Sequence, residues 1–192
     1  MDNTFLEAEN IYLRTIEEDD LPVYFGWLND QKTTKWMQRG IWPNNMDEMK
    51  SYYNSFQNGK SLFLAILAKK EVQAPYEKFN IHIGNIALTS VHPEFRTAEI
   101  SIIIGYTLMQ GKGYGSNAIK LLSDHAFKRM NLNRLQAGAV VENIGCIKAF
   151  KKNGFKEEGI LRQAYYCEGE YRDVMIMGLI KEDWRKAHVV SK

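Results

Sequence analysis

Residues 110–115 carry the residue types that could hold a phosphate group, because they read Gln-Gly-Lys-Gly-Tyr-Gly and lead into a predicted helix. Glycines let the backbone turn tightly and approach a ligand closely. The free N–H groups at the start of a helix, with the positive end of its dipole, attract phosphate oxygens. The segment therefore predicts a pyrophosphate cradle, and a glycine-rich turn without a ligand is the alternative.

Two common phosphate-binding loops do not match this segment. The Rossmann fingerprint needs a third glycine where this chain has Ser116. The Walker loop needs Ser or Thr directly after Gly111-Lys112, and Gly113 stands there instead. Neither kind of nucleotide loop is indicated, so a second motif is needed to identify the ligand.

A second motif begins at Asn143, 30 positions after the middle glycine of the loop. It places an aromatic ring, Phe150, seven positions after the asparagine and ends in Gly154-Phe155. In order, spacing and flanking strands, the two motifs resemble the signatures of the GNAT superfamily of N-acetyltransferases, the first of which is (Arg/Gln)-x-x-Gly-x-(Gly/Ala). Residues 83–86 and 157–159 are similar to the branch that includes ribosomal-protein N-terminal acetyltransferases and amino-sugar acetyltransferases.

The resemblance implies an α+β fold of mixed helices and strands, formed by residues 1–192 as a single domain. Its centre would be a mostly antiparallel twisted sheet of six or seven strands flanked by four helices. The cofactor would lie in a splay between the two central strands. The implied activity is an N-acetyltransferase that moves an acetyl group directly from acetyl-CoA, its cosubstrate, to a primary amine.

The resemblance also implies which residues bind the cofactor. Backbone N–H groups of the loop would hold the pyrophosphate, at Gln110, Gly111, Lys112, Gly113, Tyr114 and Gly115. The end of the preceding strand would pair with the pantetheine amides as an added strand would, at Ile103, Ile104 and Gly105. Asn143 would contact the cofactor arm, with plain helix capping as the alternative. Lys148 would approach the phosphates, with a solvated lysine as the alternative.

Acetyl transfer to an amine needs a base, because an ammonium ion has no lone pair with which to attack. Glu99 is the candidate base, since it lies on a short apolar strand that leads directly into the loop. A carboxylate held by Arg96 or Arg134 is the alternative interpretation of this residue. His82 and His92 are further candidate bases.

A general acid can protonate the departing thiolate, and many relatives carry a tyrosine for this purpose seven positions after the asparagine. This chain has Phe150 there, which has no proton to give. Either the thiolate leaves unprotonated, or a tyrosine near the final hairpin supplies the proton, with Tyr165, Tyr166 and Tyr171 as candidates. Aromatic packing is the alternative for these tyrosines, and Cys146 is interpreted as a small packing residue.

The elements that must position these residues follow from periodicity and turn signals. Strands are predicted at 11–15, 62–68, 81–91, 98–104, 134–141, 158–166 and 173–180. Helices are predicted around Pro22, after Gly115 and at 143–153. Residues 27–56 are predicted to be helical with interruptions. The polar stretch 69–78 is predicted to be a surface loop.

The acceptor is expected to bind between the early helices and the final hairpin. Residues 27–53 are rich in aromatic side chains, and Glu168, Glu170 and Asp173 make the hairpin acidic, which suits an amine. An amino sugar or sugar nucleotide is the first hypothesis, with a protein N-terminus, an aminoglycoside or a polyamine as alternatives. A non-catalytic coenzyme A-binding module is the alternative of another class.

The composition argues against several other classes of protein. The 192 residues include 25 Lys and Arg against 23 Asp and Glu, so no basic excess points to nucleic acid. No apolar run approaches the roughly 20 residues that a membrane span needs. Cys146 and Cys167 show no metal-ligand spacing and are expected to be reduced thiols in a cytoplasmic protein. A homodimer is expected, because the last strands of the fold often pair across a two-fold axis.

Overall fold

A computed structural model describes residues 3–37, 40–56, 61–69 and 81–189. Within these ranges the chain forms eight strands and six α-helices. The strands are β1 (Leu6–Glu7), β2 (Ile11–Thr15), β3 (Leu62–Ala68), β4 (Ile81–His92), β5 (Thr97–Ile104), β6 (Arg134–Val140), β7 (Lys156–Cys167) and β8 (Glu170–Ile180). The helices are α1 (Leu21–Leu28), α2 (Gln31–Thr34), α3 (Met46–Ser55), α4 (Tyr114–Lys128), α5 (Ile144–Lys152) and α6 (Lys181–Val189). None of the helices in the described ranges has the length and apolarity to span a membrane.

The expected α+β fold is confirmed, with slightly more strands and helices than expected. The predicted helical stretch at 27–56 is divided into short helices, each of which begins at a capping side chain. Asp30 accepts hydrogen bonds from two backbone N–H groups at the start of α2. Asn45 accepts from the N–H of Glu48, 2.9 Å away, and so caps α3. Residues 70–78 of the predicted surface loop lie outside the described residues.

The strands form one sheet in the order β1-β2-β3-β4-β5-β6-β8-β7. Helices cover both of its faces. One face packs against α4 and α5, where Ala118, Leu122 and Phe150 are buried. The other face packs against α1 and α3, where Tyr24 and Met49 are buried. Burial on both sides explains why β3 reads as an almost uninterrupted apolar run.

The pair β5–β6 is parallel, whereas all other neighbouring strands are antiparallel. A parallel pair needs a crossover connection, and α4 supplies it. The pair is in register at three positions only, the last of which joins Glu99 to Gln136. Beyond this point β5 stays paired with β4 as far as Ile104, while β6 continues to Val140 beside β8. The expected splay between the two central strands is therefore present.

Candidate active site

A cavity of about 430 Å³ opens where β5 and β6 separate. On one side of the sheet it reaches α5, through Asn143, Cys146 and Phe150. On the other side it reaches α1 and α3, through Tyr24 and Tyr52. A cavity that passes through the splay allows a donor and an acceptor to approach one point from opposite faces of the sheet.

The glycine loop lies at the end of β5 and opens α4. Gly113 is the N-cap residue of α4 with φ +86°, and Gly111 has φ +74°, which are backbone angles that favour glycine. No side chain among the described residues caps this helix, so the N–H groups of its first turn are left for another partner. Tyr114 is buried and anchors the loop to the core, while Gln110 donates from Nε2 to the carbonyl of Ile104 at 2.8 Å.

The strand end at 103–105 is held against the sheet. Ile103 lines the cavity and is paired with Asn85 of β4. Gly105 is covered by the ring of Trp27, and a Cβ built on this glycine would lie 2.0 Å from Cδ2 of that ring. Only glycine allows this approach, so Trp27 closes the sheet beside the point where the loop begins.

Gly105→Ala is expected to destabilise the protein by about 1–3 kcal/mol, because Trp27 must shift to admit the methyl group. Chemical denaturation measures the change. The matched control is Gly145→Ala in α5, where the added Cβ meets no described atom within 4 Å apart from its chain neighbours and the backbone of its own helix. An equal denaturation midpoint for Gly105→Ala and the unaltered protein would contradict the packing described here.

The two residues of the second motif that were predicted to meet the cofactor differ in position. Asn143 lines the cavity and also caps α5, since its side-chain oxygen accepts from the N–H of Cys146 at 3.2 Å. Lys148 is exposed on α5 and is not among the residues that line the cavity. The structure therefore brings Asn143 to the splay and leaves Lys148 on the surface.

Glu99 lines the cavity at the last paired position before the splay. Its side chain is half-buried. Arg134 forms its two hydrogen bonds with Glu158 instead. Among the described residues neither Arg134 nor Arg96 forms an ion pair with Glu99, so the alternative of a structural ion pair has no support in the fold.

Neither of the further candidate bases lines the cavity. His92 is exposed and lies near Phe95, with ring centroids 6.2 Å apart. His82 packs against Trp27 at 4.9 Å, and its Nε2 lies 2.7 Å from Oδ1 of Asn85. Burial lowers the pKa of His82. Asn85 does line the cavity, although the sequence indicated no role for it in the site.

The candidate acids face different surroundings. Tyr165 is buried and lines the cavity, and its O–H lies 2.7 Å from the carbonyl of Met37 and 3.1 Å from that of Lys35. Burial raises the pKa of Tyr165. Tyr166 is 57% exposed and packs edge-on against Tyr171. The structure therefore brings Tyr165, but not Tyr166, to the cavity.

Phe150 and Cys146 lie one turn apart on α5, and both line the cavity. Phe150 is 1% exposed and packs edge-on against Phe155, with ring centroids 5.0 Å apart. Burial raises the pKa of the Cys146 thiol to about 11, so the group is protonated at neutral pH. A protonated, half-buried thiol is consistent with the interpretation of Cys146 as a packing residue.

In the final hairpin Glu168 and Glu170 are exposed, Asp173 is half-buried, and each of these acids has a partner. Glu168 pairs with Lys35 at 2.9 Å, and Glu170 pairs with Arg172 at 2.7 Å. Asp173 accepts a hydrogen bond from the backbone N–H of Gln163. The positive partners offset the negative charge that the sequence assigns to this hairpin.

Four aromatic residues line the acceptor side of the cavity, and the sequence predicted two of them as part of the acceptor region. Trp36 and Tyr52 come from the aromatic stretch at 27–53. Tyr24 and Phe63 lie outside that stretch and contact each other edge-on at 5.6 Å. Their positions on the buried faces of α1 and β3 predict core packing, so periodicity alone gave no signal of a site.

The splayed parallel pair, the glycine loop and the cavity between them define the fold of a GNAT N-acetyltransferase. Residues 10–156 match the family model described as "Acetyltransferase (GNAT) domain", and the chain belongs to this family. The match confirms the expected superfamily and enzyme class, with acetyl-CoA as the cosubstrate of that class.

The similar proteins include two N-acetyltransferases that match nearly the whole chain. "Uncharacterized N-acetyltransferase p20" of Bacillus licheniformis is 28% identical over 93% of this chain and 97% of its own. "Spermidine N(1)-acetyltransferase" of Vibrio cholerae is 27% identical over 90% of this chain and 94% of its own. Among solved structures, spermidine N-acetyltransferase from Vibrio cholerae in complex with CoA and spermine has a TM-score of 0.80 and 24% identity, over 92% of this chain and 98% of that one.

Proposed function

We propose that the protein transfers the acetyl group of acetyl-CoA directly to a primary amine of a small cationic molecule, with a polyamine such as spermidine as the first candidate. The similarity to a spermidine N-acetyltransferase over most of both chains supports this choice. It favours a polyamine over the amino sugar that the sequence suggested first.

The charge and chemistry of the cavity carry the proposal. Glu99 is the only charged residue among the described residues that line it. Aromatic rings contribute much of the remaining lining, at Tyr24, Trp36, Tyr52 and Phe63. Aromatic faces attract cations, and a single carboxylate without a neighbouring Lys or Arg does the same. An amine-bearing cation is the ligand class that this combination favours.

The donor side fits a molecule with a pyrophosphate and an amide-bearing arm. A Cβ built at Gly111 or Gly113 would meet no described atom within 4 Å, so the loop is open to a ligand. The uncapped N–H groups at the start of α4 would bind phosphate oxygens. The edge of β5 beyond Glu99 is not paired with β6 and would bind the arm through its backbone, with Asn143 beside it.

Acetyl-CoA, when bound, supplies the acetyl group as an activated thioester. Glu99 would accept a proton from the acceptor's ammonium group, directly or through a water molecule, because the amine needs a free lone pair. Backbone N–H groups at the unpaired edge of β5 would donate to the thioester carbonyl oxygen as negative charge develops there.

None of the described residues that line the cavity is a good acid for the departing sulfur. Cys146, with a pKa of about 11, would have to protonate a thiolate whose own acid has a pKa of roughly 8.5, which is uphill. The O–H of Tyr165 is already placed to donate to the carbonyls of Lys35 and Met37. Departure as an unprotonated thiolate is the route that these residues favour.

Release of free coenzyme A thiol in the presence of spermidine tests the proposal. We expect steady-state turnover with spermidine at a higher kcat/KM than with glucosamine or with an unblocked peptide. A higher kcat/KM for glucosamine or for the peptide would move the acceptor to the corresponding class. Binding of acetyl-CoA without thiol release from any of these amines would favour the non-catalytic binding module instead.

A homodimer stays a prediction for this chain. In the described structure β7 is an edge strand of the sheet, and its side chains Ile160 and Leu161 are more than half exposed. An exposed apolar edge of this kind supports pairing with a second copy.

A further inference from the structure

A chain of polar side chains leads from β2 and the start of α1 to the cavity. Arg14 of β2 holds Asp20 through two hydrogen bonds, at 2.6 and 2.8 Å. Oδ1 of Asp20 lies 3.5 Å from Nδ1 of His82, and Nε2 of His82 lies 2.7 Å from Oδ1 of Asn85. Asp20 is 7% exposed and Asn85 is 2% exposed, so these contacts are shielded from water. Asn85, the last member, lines the cavity.

Two buried atoms in this chain lack a hydrogen-bond partner among the described residues. They are Nδ1 of His82 and Nδ2 of Asn85. Leaving a buried polar atom unpaired is costly. A half-turn of the Asn85 amide exchanges its oxygen and its nitrogen without changing the shape of the side chain.

The charge of Asp20 decides which orientation of the Asn85 amide is more stable. Burial lowers the pKa of His82, and the neutral ring carries one N–H. Nδ1 faces the carboxylate of Asp20. Burial acts to raise the pKa of Asp20, but the hydrogen bonds with Arg14 and with the N–H of Glu17 and the nearby positive charge together lower it, so the carboxylate remains charged. The proton of His82 is therefore most stable on Nδ1, where it points to a negative charge. Nε2 of His82 can then only accept a hydrogen bond, so the Asn85 amide must turn its Nδ2 group towards Nε2.

We propose that Asn85 is a specificity-determining residue that presents its amide oxygen to the cavity and accepts a hydrogen bond from the acceptor amine, with Asp20 and His82 as its positioning residues. The inference rests on the proposed function, because it concerns the acceptor of that reaction. Asn85 lies on the strand next to the splay, opposite Ile103, so an amine held there is close to the edge of β5. An amide oxygen attracts an N–H donor and disfavours a ligand that offers only acceptors at this point.

Nitrogen NMR of the unaltered protein tests the arrangement without any substrate. We expect the ring of His82, assigned by its loss in His82→Gln, to show a protonated Nδ1 and an unprotonated Nε2 at neutral pH. A proton on Nε2 would overturn the proposal, since the amide oxygen of Asn85 would then be occupied by His82. This measurement decides the orientation whether or not spermidine proves to be an acceptor.

Two substitutions of Asn85 separate an oxygen acceptor from a nitrogen donor. Asn85→Ala removes both groups, and we expect the KM for spermidine to rise by about ten- to hundredfold, with the KM for acetyl-CoA little changed. Asn85→Asp keeps an oxygen towards the cavity but has no N–H group to donate to His82, so His82 must take up a second proton, and we expect the KM for spermidine to rise less than in Asn85→Ala. Ser123→Ala is the matched control, because Ser123 is also a buried, unpartnered polar residue but lies on α4 outside the cavity lining.

The outcomes are distinct. An unchanged KM for spermidine in Asn85→Ala, or an equal rise in Asn85→Ala and Asn85→Asp, would overturn the proposal. The second of these results would show that the amide N–H is what the ligand needs. Absence of turnover by the unaltered enzyme with every amine would instead overturn the proposed function, and the nitrogen resonances would still decide the orientation of Asn85.

Discussion

Replacing Glu99 by glutamine is expected to lower kcat by about 10²–10⁴-fold, the usual contribution of a general base. Glutamine keeps the size of the side chain but cannot accept the amine's proton at neutral pH. The affinity for acetyl-CoA should barely change, because the glycine loop and Asn143 are untouched. Steady-state kinetics with spermidine and calorimetry with acetyl-CoA measure the two quantities separately.

The loss in Glu99→Gln should shrink as the pH rises, because more of the acceptor amine is then already neutral. Glu158→Gln is the matched control, since Glu158 pairs with Arg134 and does not line the cavity. It should keep its kcat and lose at most about 1 kcal/mol of stability, as is usual for partly exposed ion pairs. A folded Glu99→Gln enzyme with near-normal kcat at neutral pH would remove Glu99 from the mechanism.

Gly113→Val is expected to weaken acetyl-CoA binding by about ten- to hundredfold while the protein remains folded. Gly113 has φ +86° at the N-cap of α4, and a β-branched residue is strained in that region. The loop must change its backbone angles to relieve the strain, which turns the N–H groups of the cradle away from the pyrophosphate. Calorimetry measures the affinity, and circular dichroism reports the fold.

A second glycine provides the control for backbone strain. Gly169 in the β7–β8 turn has φ +84°, and a Cβ there would meet no described atom within 4 Å, as at Gly113. Gly169→Val should therefore lose similar stability and keep its affinity for acetyl-CoA. Equal affinities in Gly113→Val and Gly169→Val would mean that the loop is not the pyrophosphate cradle.

Features that depend on neighbours in the sequence were predictable. The glycines of the loop, the capping role of Asn143 and the turn at Gly154 all follow from backbone chemistry over a few residues, and the structure shows each of them. The core face of α4, with Ala118 and Leu122 fully buried, follows from helical periodicity. Together with the spacing of the two motifs, these local signals were enough to identify the family.

Contacts between distant segments were not predictable. The sequence predicted acidic side chains in the hairpin, but only the fold brings Lys35 to Glu168, far away in the chain. Tyr165 was a candidate acid until the fold placed its O–H beside the carbonyls of residues 35 and 37. Glu99 is left without an ion pair among the described residues because Arg134 is paired with Glu158.

The glycine loop, the capped helices and the order of strands and helices could be read from the sequence, and they were enough to identify an N-acetyltransferase. Which polar groups face the cavity, and which are already paired, depends on the folded chain, including the link from Asp20 through His82 to Asn85. The two kinds of feature differ in the range of the interactions behind them. Backbone conformation responds to side chains a few positions away, whereas ion pairs, hydrogen bonds and burial depend on which residues the sheet brings within a few ångströms of one another.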